Sequence, residues 1–253
     1  MDVACRPGTA LAAAAAVALA VVLALRGLAR TTAAVEGGAT DAPLLGPRVR
    51  SWFRGVLAPL EEVLVGWRVH PDTITWAQLG TSVLAGVAFW QGAMFLGGWL
   101  TILAGILDIL DGGVARQGGV ASARGALLDS LVDRYSEFVT FLGLGAFFRA
   151  SPVLLAVAVA AFGSLMVSYT RARAEGLGLE MRAGQVQRPE RYVILGFGGF
   201  LSGLVAHFSC ALTGRPSQVV LATALVLLAL SSAWTAVRRA HLAVRALAQG
   251  RDT

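Results

Sequence analysis

The chain has 253 residues, of which 56% are hydrophobic and only 14% are charged, so the composition excludes an ordinary soluble domain and is typical of a membrane protein. The formal net charge is +6, and all of the basic side chains other than histidine are arginines. Arginines in membrane proteins usually report orientation and contact with anionic headgroups, so we expect membrane lipids and no nucleic acid among the partners.

The first apolar run covers residues 9–25 and is rich in alanine and valine. Its length fits either a signal peptide or a hydrophobic helix. Cleavage after it would translocate the arginine-rich stretch that follows, which the positive-inside rule disfavours, so we favour a retained helix. Residues 31–46 show no periodicity and are predicted to be a linker, which makes residues 1–46 an N-terminal helix and linker.

An amphipathic helix is predicted from Pro47 to Trp67, where apolar residues recur at helical spacing opposite arginines and glutamates. Such a helix lies in the membrane interface rather than across the bilayer. Six membrane spans are predicted after it, each near the length that a bilayer core requires. They cover approximately residues 74–92, 95–115, 124–148, 152–171, 191–209 and 217–237.

Arginines concentrate in alternate connections between these spans, which places that side of the bundle and the C-terminus in the cytoplasm. The predicted fold is therefore an all-α integral membrane protein of the inner (cytoplasmic) membrane. It is a six-transmembrane-helix bundle with an N-terminal amphipathic juxtamembrane helix and one extra N-terminal hydrophobic helix. The bundle domain is predicted to cover residues 47–245, followed by a tail of residues 246–253.

Four aspartates interrupt the second and third spans: Asp108, Asp111, Asp129 and Asp133. Ionised carboxylates at membrane depth are costly unless they are paired or bound to a cation, so four together indicate a site. Each pair has a spacing of three or four residues and lies on one helical face. Oxygen ligands suit hard cations, and two divalent ions, Mg²⁺ or Mn²⁺, would balance four carboxylates.

The sequence Asp108-x2-Asp111-Gly112-x2-Ala115-Arg116-x8-Gly125-x3-Asp129-x3-Asp133 resembles, position for position, the signature of the CDP-alcohol phosphatidyltransferase family. The resemblance covers about residues 47–245. It implies a six-helix membrane enzyme, assembled as a homodimer, that transfers a phosphatidyl group from CDP-diacylglycerol to a small polar alcohol and releases CMP in phospholipid biosynthesis.

By this resemblance Asp108, Asp111 and Asp129 are metal ligands, and Asp133 is both a ligand and the general base. The nucleotide pocket is implied to be lined by Gly112, Ala115, Arg116 and Gly125. Taken singly, each glycine is also explained by helix packing or a turn, and Arg116 by the positive charge that ends a cytoplasmic loop.

The segments SYTRARAEGLG, residues 168–178, and QRPER, residues 187–191, add dense positive charge on the predicted cytoplasmic side. Several guanidinium groups suit a phosphorylated acceptor better than a neutral one. Both segments resemble those of phosphatidylinositol phosphate synthases and their archaeal relatives. By position, Arg171, Arg191 and Arg239 are implied to bind the acceptor phosphate, although each also fits a membrane-flanking charge.

The acceptor favoured by these features is an inositol phosphate. The main alternative is a phosphatidylglycerophosphate synthase that uses glycerol 3-phosphate. A divalent-cation transporter is a more distant alternative, because it would not need the Gly112-x2-Ala115-Arg116 insert between the acidic pairs.

Overall fold

The computed structural model of the chain describes residues 46–179, 187–213 and 218–249. Within these ranges all of the regular secondary structure is helical. The seven helices are α1 Pro47–Gly66, α2 Pro71–Trp90, α3 Met94–Gln117, α4 Ala123–Phe147, α5 Val153–Glu175, α6 Arg188–Thr213 and α7 Val219–Gln249. The predicted helix of residues 9–25 lies outside the described part of the chain.

Tight turns connect the first helices of the bundle. Gly92, between α2 and α3, and Gly119, between α3 and α4, have φ angles of 78° and 65°, a region that glycine adopts without strain. His70 caps α2 by accepting a hydrogen bond from the Asp72 N–H, and Pro71 occupies the first helical position. The start of α2, the end of α3 and the start of α4 lie at one end of the bundle, which is the polar end.

The helices pack around α2 and α3. Helix α2 contacts both α3 and α4, α3 contacts α6, and α7 contacts α5 and α6. A large apolar cluster fills the half of the bundle away from the polar ends and includes Phe89, Phe141, Leu144, Leu195 and Leu225. A second, smaller apolar cluster joins α1 to the bundle, and its buried members are Leu57, Ile74, Leu110 and Val114.

Four helices in the described ranges are long and apolar enough to cross a membrane: Met94–Gln117, Val153–Glu175, Arg188–Ser209 and Val219–Ala248. The other two predicted spans correspond to α2 and α4, which are helical but fall outside that set. Their buried faces carry polar side chains, among them Gln78 and Ser82 on α2 and Asp133, Ser136 and Thr140 on α4. These polar side chains lower the hydropathy of α2 and α4, and they are buried in the bundle interior.

The last three predicted spans are shorter than the observed helices. Helix α5 continues to Glu175 rather than ending at residue 171, α6 begins at Arg188 rather than at residue 191, and α7 continues to Gln249 rather than ending at residue 237. In the extension of α7, Arg239 is buried in the bundle, whereas His241 and Arg245 are exposed. Arginines that were predicted to lie in loops are therefore held on rigid helices.

Helices α2 and α4 approach each other most closely at two glycines. A Cβ atom on Gly143 would lie 2.0 Å from the backbone oxygen of Gly86, and one on Gly86 would lie 2.6 Å from the backbone oxygen of Val139. Close backbone approach at small residues is the usual way in which helices associate in a membrane, where lipid offers no hydrophobic drive between them.

We expect Gly143→Ala to destabilise the protein by about 1–3 kcal/mol, because the added methyl group overpacks a backbone contact. Thermal unfolding in detergent, followed by tryptophan fluorescence, measures the effect. Gly80→Ala on α2 is the control, because a Cβ there meets nothing within 4 Å. Equal unfolding temperatures for the two variants would contradict the proposed packing constraint.

Candidate metal and phosphate site

The four predicted aspartates lie where α3 ends and α4 begins. Asp108 and Asp111 occupy the C-terminal part of α3, while Asp129 and Asp133 occupy the first three turns of α4. The Ser122 hydroxyl caps α4 by accepting a hydrogen bond from the Gly125 N–H at 3.1 Å. The short turn of residues 118–122, between α3 and α4, places the two acidic helical segments near each other.

Three of the four carboxylates converge. Asp108, Asp129 and Asp133 each present one oxygen, and these oxygens all lie within 4.8 Å of one another. Asp133 is 1% exposed, and Oδ1 of Asp129 is buried with no hydrogen-bond partner among the described residues. An all-oxygen donor set with an orphaned carboxylate oxygen fits a hard divalent cation such as Mg²⁺ or Mn²⁺.

Asp111 lies beside this cluster but outside it. It is 3% exposed, and its Oδ2 accepts a hydrogen bond of 2.7 Å from the Thr75 hydroxyl. The same hydroxyl contacts the Pro71 backbone oxygen at 3.2 Å, so Thr75 links the start of α2 to Asp111 on α3. The structure thus brings together three of the predicted ligands and holds the fourth in place through Thr75.

Arg188 inserts its guanidinium group among the aspartates. Nη2 donates to Asp108 Oδ1 at 2.5 Å, and Nη1 forms an ion pair with Asp133. From the sequence, the neighbouring Arg191 was assigned to the acceptor phosphate, and Arg188 was counted only among the positive charges of residues 187–191. The signal that could have identified Arg188 is its helical spacing, since it lies one turn before the buried Tyr192 and therefore shares the inward face of α6.

A buried amide lies next to the same carboxylates. Gln78 on α2 is 0% exposed, and its Nε2 lies 3.0 Å from Asp133 Oδ1 and 3.3 Å from the Tyr192 hydroxyl. Neither residue was predicted to belong to the site. Gln78 lies one turn after Thr75 on α2, so both face the aspartates, and this spacing is the signal that sequence reasoning missed.

The three arginines predicted to bind a phosphate occupy different environments. Arg191 is 3% exposed and forms a two-pronged pair with Glu137, with distances of 2.5 and 3.1 Å. Arg239 is also buried, and its Nη1 donates to the Val167 backbone oxygen at 2.9 Å. Arg171 is exposed and pairs with Glu175 at 2.8 Å. The charges of Arg171 and Arg191 both act on Arg239, so the three arginines share one region.

The predicted nucleotide-binding residues lie at the outer edge of the aspartate cluster. A Cβ atom on Gly112 would lie 3.1 Å from Nη1 of Arg116, so the Arg116 guanidinium lies over Gly112. Ala115 is half-buried one residue before Arg116, and Gly125 lies in the first turn of α4. Gly112 and Arg116 therefore lie together, with Gly125 across the turn at the start of α4.

Helix α1 is attached to the same end of the bundle through polar contacts. Arg50 donates to the fully buried Glu190 at 2.5 Å, and Glu61 accepts a hydrogen bond of 2.6 Å from Gln117. The Glu61 carboxylate lies against Gly113, where a Cβ would be 2.1 Å from Oε1. These contacts connect α1 to α3, which carries Asp108 and Asp111, and to α6, which carries Arg188.

Comparison with known proteins identifies similar chains. Residues 68–247 match the family model described as CDP-alcohol phosphatidyltransferase. The phosphatidylinositol phosphate synthase of Mycobacteroides abscessus is 34% identical over 197 residues, which cover 76% of this chain and 85% of that protein. The archaetidylinositol phosphate synthase of Methanothermobacter thermautotrophicus is 37% identical over 136 residues, 54% of this chain and 68% of that protein.

Two crystal structures of the Mycobacterium tuberculosis phosphatidylinositol phosphate synthase are similar to this fold. The one with CDP-DAG bound has a TM-score of 0.62 and 30% identity, and the match covers 73% of this chain and 92% of that chain. The one in complex with manganese and citrate has a TM-score of 0.63 and 31% identity, covering 73% and 87%.

We expect Thr75→Val to weaken Mn²⁺ binding by about tenfold, because partners that orient metal-ligating carboxylates typically contribute that much. Titration of the purified protein with Mn²⁺, with free ion followed by electron paramagnetic resonance, gives the affinity. Thr81→Val is the matched control, since the Thr81 hydroxyl donates to the Ala77 backbone oxygen of its own helix. Unchanged affinity in Thr75→Val would show that Asp111 needs no such support.

Proposed function

Because the chain belongs to the CDP-alcohol phosphatidyltransferase family, we propose that it transfers a phosphatidyl group from CDP-diacylglycerol to an inositol phosphate and releases CMP. The observation that carries the proposal is the convergence of Asp108, Asp129 and Asp133 at the end of the bundle that also holds the buried arginines. An acidic cluster suits divalent cations, while the arginines suit a phosphate.

In this proposal Asp108, Asp111, Asp129 and Asp133 hold two divalent ions, Mg²⁺ or Mn²⁺. When bound, the ions neutralise the diphosphate of CDP-diacylglycerol and stabilise the negative charge that develops on the leaving CMP. A related synthase structure in complex with manganese supports the requirement for a divalent metal. Gly112, Ala115, Arg116 and Gly125 would line the adjacent nucleotide pocket, where the Arg116 guanidinium offers several donors to phosphate oxygens.

Asp133 is the proposed general base. The acceptor hydroxyl oxygen attacks the β-phosphorus of CDP-diacylglycerol, the bond from that phosphorus to the bridging oxygen of CMP breaks, and the hydroxyl proton passes to the Asp133 carboxylate. Asp133 is buried and is held by Gln78 and Arg188, so its orientation is fixed before the acceptor arrives. Exclusion of water from this interior site limits competing hydrolysis of the lipid diphosphate.

Arg171, Arg191 and Arg239 are proposed to bind the acceptor phosphate. The relatives named as phosphatidylinositol phosphate and archaetidylinositol phosphate synthases support an inositol phosphate acceptor. Glycerol 3-phosphate carries the same charged group on a smaller alcohol. It is therefore the alternative acceptor whose activity must be compared directly with that of an inositol phosphate.

The protein is an integral membrane protein by its family and its four apolar helices. We further propose six spans, a domain of residues 47–245, a location in the cytoplasmic membrane with the site facing the cytoplasm, and a homodimer. The polar helix ends and clustered arginines support the orientation. Labelling from the cytoplasmic side of a cysteine introduced at the exposed position 120, Val120→Cys, tests the orientation. Light scattering in detergent tests the dimer.

We expect purified protein with CDP-diacylglycerol and Mg²⁺ or Mn²⁺ to release CMP with an inositol phosphate as acceptor, and to release little with glycerol 3-phosphate, free inositol or serine. CMP release measured side by side with the four acceptors decides the substrate. Asp133→Asn is the control and is expected to abolish turnover while the unfolding temperature stays close to that of the unchanged protein. Activity with serine or free inositol alone would refute the phosphorylated acceptor.

Replacement of Arg191 by Ala is expected to raise the KM for the acceptor by about 10- to 100-fold, the range of a lost charge-assisted hydrogen bond. The KM for CDP-diacylglycerol should change far less. Steady-state kinetics with each substrate varied in turn provides both values. The exposed Arg173 on α5 supplies the control variant, Arg173→Ala, and Arg191→Lys retains the charge if the alanine variant folds poorly. An unchanged acceptor KM in both Arg191 variants would exclude the phosphate-binding role.

A further inference from the structure

Gln78, on α2, contacts three other helices at the aspartate cluster. Its side-chain Nε2 donates to Asp133 Oδ1 on α4 at 3.0 Å and to the Tyr192 hydroxyl on α6 at 3.3 Å. It also approaches Asp108 Oδ1 on α3 at 3.4 Å. Since Gln78 itself belongs to α2, a single amide joins the four helices that build the site.

The distances divide these contacts into a stronger and two weaker ones. An amide nitrogen carries two hydrogens, so it cannot serve three acceptors equally well. The contact with Asp133 is the shortest of the three, and the contact with Asp108 is near the limit for a hydrogen bond. Asp133 is therefore the carboxylate that the Gln78 amide orients most firmly.

Stability alone does not explain a glutamine at this position. The side chain is 0% exposed, and its Oε1 has no hydrogen-bond partner among the described residues. A buried acceptor without a partner is destabilising, whereas a leucine of similar size has no polar atoms to satisfy. The residue is better explained by what its donor nitrogen does for the carboxylates than by packing.

Tyr192 holds the amide from the opposite side. Its hydroxyl accepts from Gln78, and its ring lies on the buried face of α6, one turn after Arg188. Arg188 contacts Asp108 and Asp133, the same carboxylates that face Gln78. Helix α6 thus acts on the aspartates directly through Arg188 and indirectly through Tyr192 and Gln78.

We propose that Gln78 is a positioning residue that fixes the Asp133 carboxylate for proton acceptance and metal ligation, with the Tyr192 hydroxyl holding the Gln78 amide in place. This inference rests on the proposed function for the role of Asp133 as the base. The geometric part, that Gln78 orients carboxylates of a metal site, can be measured without turnover.

Gln78→Leu tests the role. We expect kcat to fall by about 10- to 100-fold, the usual effect of removing a group that orients a metal ligand, while the KM for both substrates changes less than about threefold. Mn²⁺ affinity measured without substrates should fall by about tenfold. The unfolding temperature should equal or exceed that of the unchanged protein. Gln91→Leu, at the opposite end of α2, is the matched control and should alter none of these quantities.

Tyr192→Phe provides the second measurement and removes only the hydroxyl. We expect a smaller loss of kcat than in Gln78→Leu, and no further loss when both changes are combined, because the hydroxyl acts through the amide. Additive losses in the double variant would overturn the indirect role of Tyr192. Retained kcat and retained Mn²⁺ affinity in Gln78→Leu would overturn the role of Gln78.

The outcomes also separate this inference from the proposed function. If the unchanged protein turns over no cytidine-activated lipid but Gln78→Leu still weakens Mn²⁺ binding, the function fails and the positioning role stands. Turnover of the unchanged protein can also be confirmed while Gln78→Leu lowers the unfolding temperature, lowers kcat and raises the KM for both substrates. In that case the positioning role fails and the function stands.

Discussion

The burial of several carboxylates at one end of an apolar bundle is the constraint on which the rest of the structure depends. Carboxylate oxygens within 4.8 Å of one another repel by at least about 3.5 kcal/mol per pair at an effective dielectric constant near 20. Arg188 pairs with two of these carboxylates, and the charges of Arg188 and Arg134 both act on Asp129. Four carboxylates against two guanidinium groups leave two negative charges, which one divalent ion would balance. Under the proposed function, a second ion finds its counter-charge in the diphosphate of the substrate.

The same constraint explains why polar contacts hold this end of the bundle together. Buried carboxylates need hydrogen bonds within the protein, and Thr75, Gln78 and Arg188 provide them from α2 and α6 to Asp111, Asp133 and Asp108. Helix α1 adds the Arg50–Glu190 pair beside Arg188, so the amphipathic helix is coupled to the segment that carries the arginine. The opposite half of the bundle has no such requirement and packs through apolar side chains.

The sequence predicted the parts of this arrangement that depend on local spacing. Asp108 and Asp129 share a cluster because short helical spacings and one tight turn place them there, and the helical segments follow from length and hydropathy. Helical spacing places Arg188 on the same face of α6 as Tyr192, and Gln78 on the same face of α2 as Thr75. Which aspartates these two side chains contact depends on how α6 and α2 pack against α3 and α4, and local spacing does not specify that packing. Arg191 was predicted to bind a phosphate. Its buried pair with Glu137 joins residues that are 54 positions apart, on α6 and α4, so the sequence around neither residue predicts it.

That pair bears on how the site would choose an acceptor. Glu137 already accepts from two nitrogens of Arg191, in a buried environment where the pair is only weakly screened by solvent. A neutral polyol offers Arg191 weaker hydrogen bonds than the carboxylate does, so it has little means of displacing Glu137. A phosphate dianion offers more charge and more acceptor oxygens, and Arg171 and Arg239 add to its attraction. Under the proposed function, a substrate must displace Glu137 before it can bind Arg191, and this requirement selects against unphosphorylated alcohols.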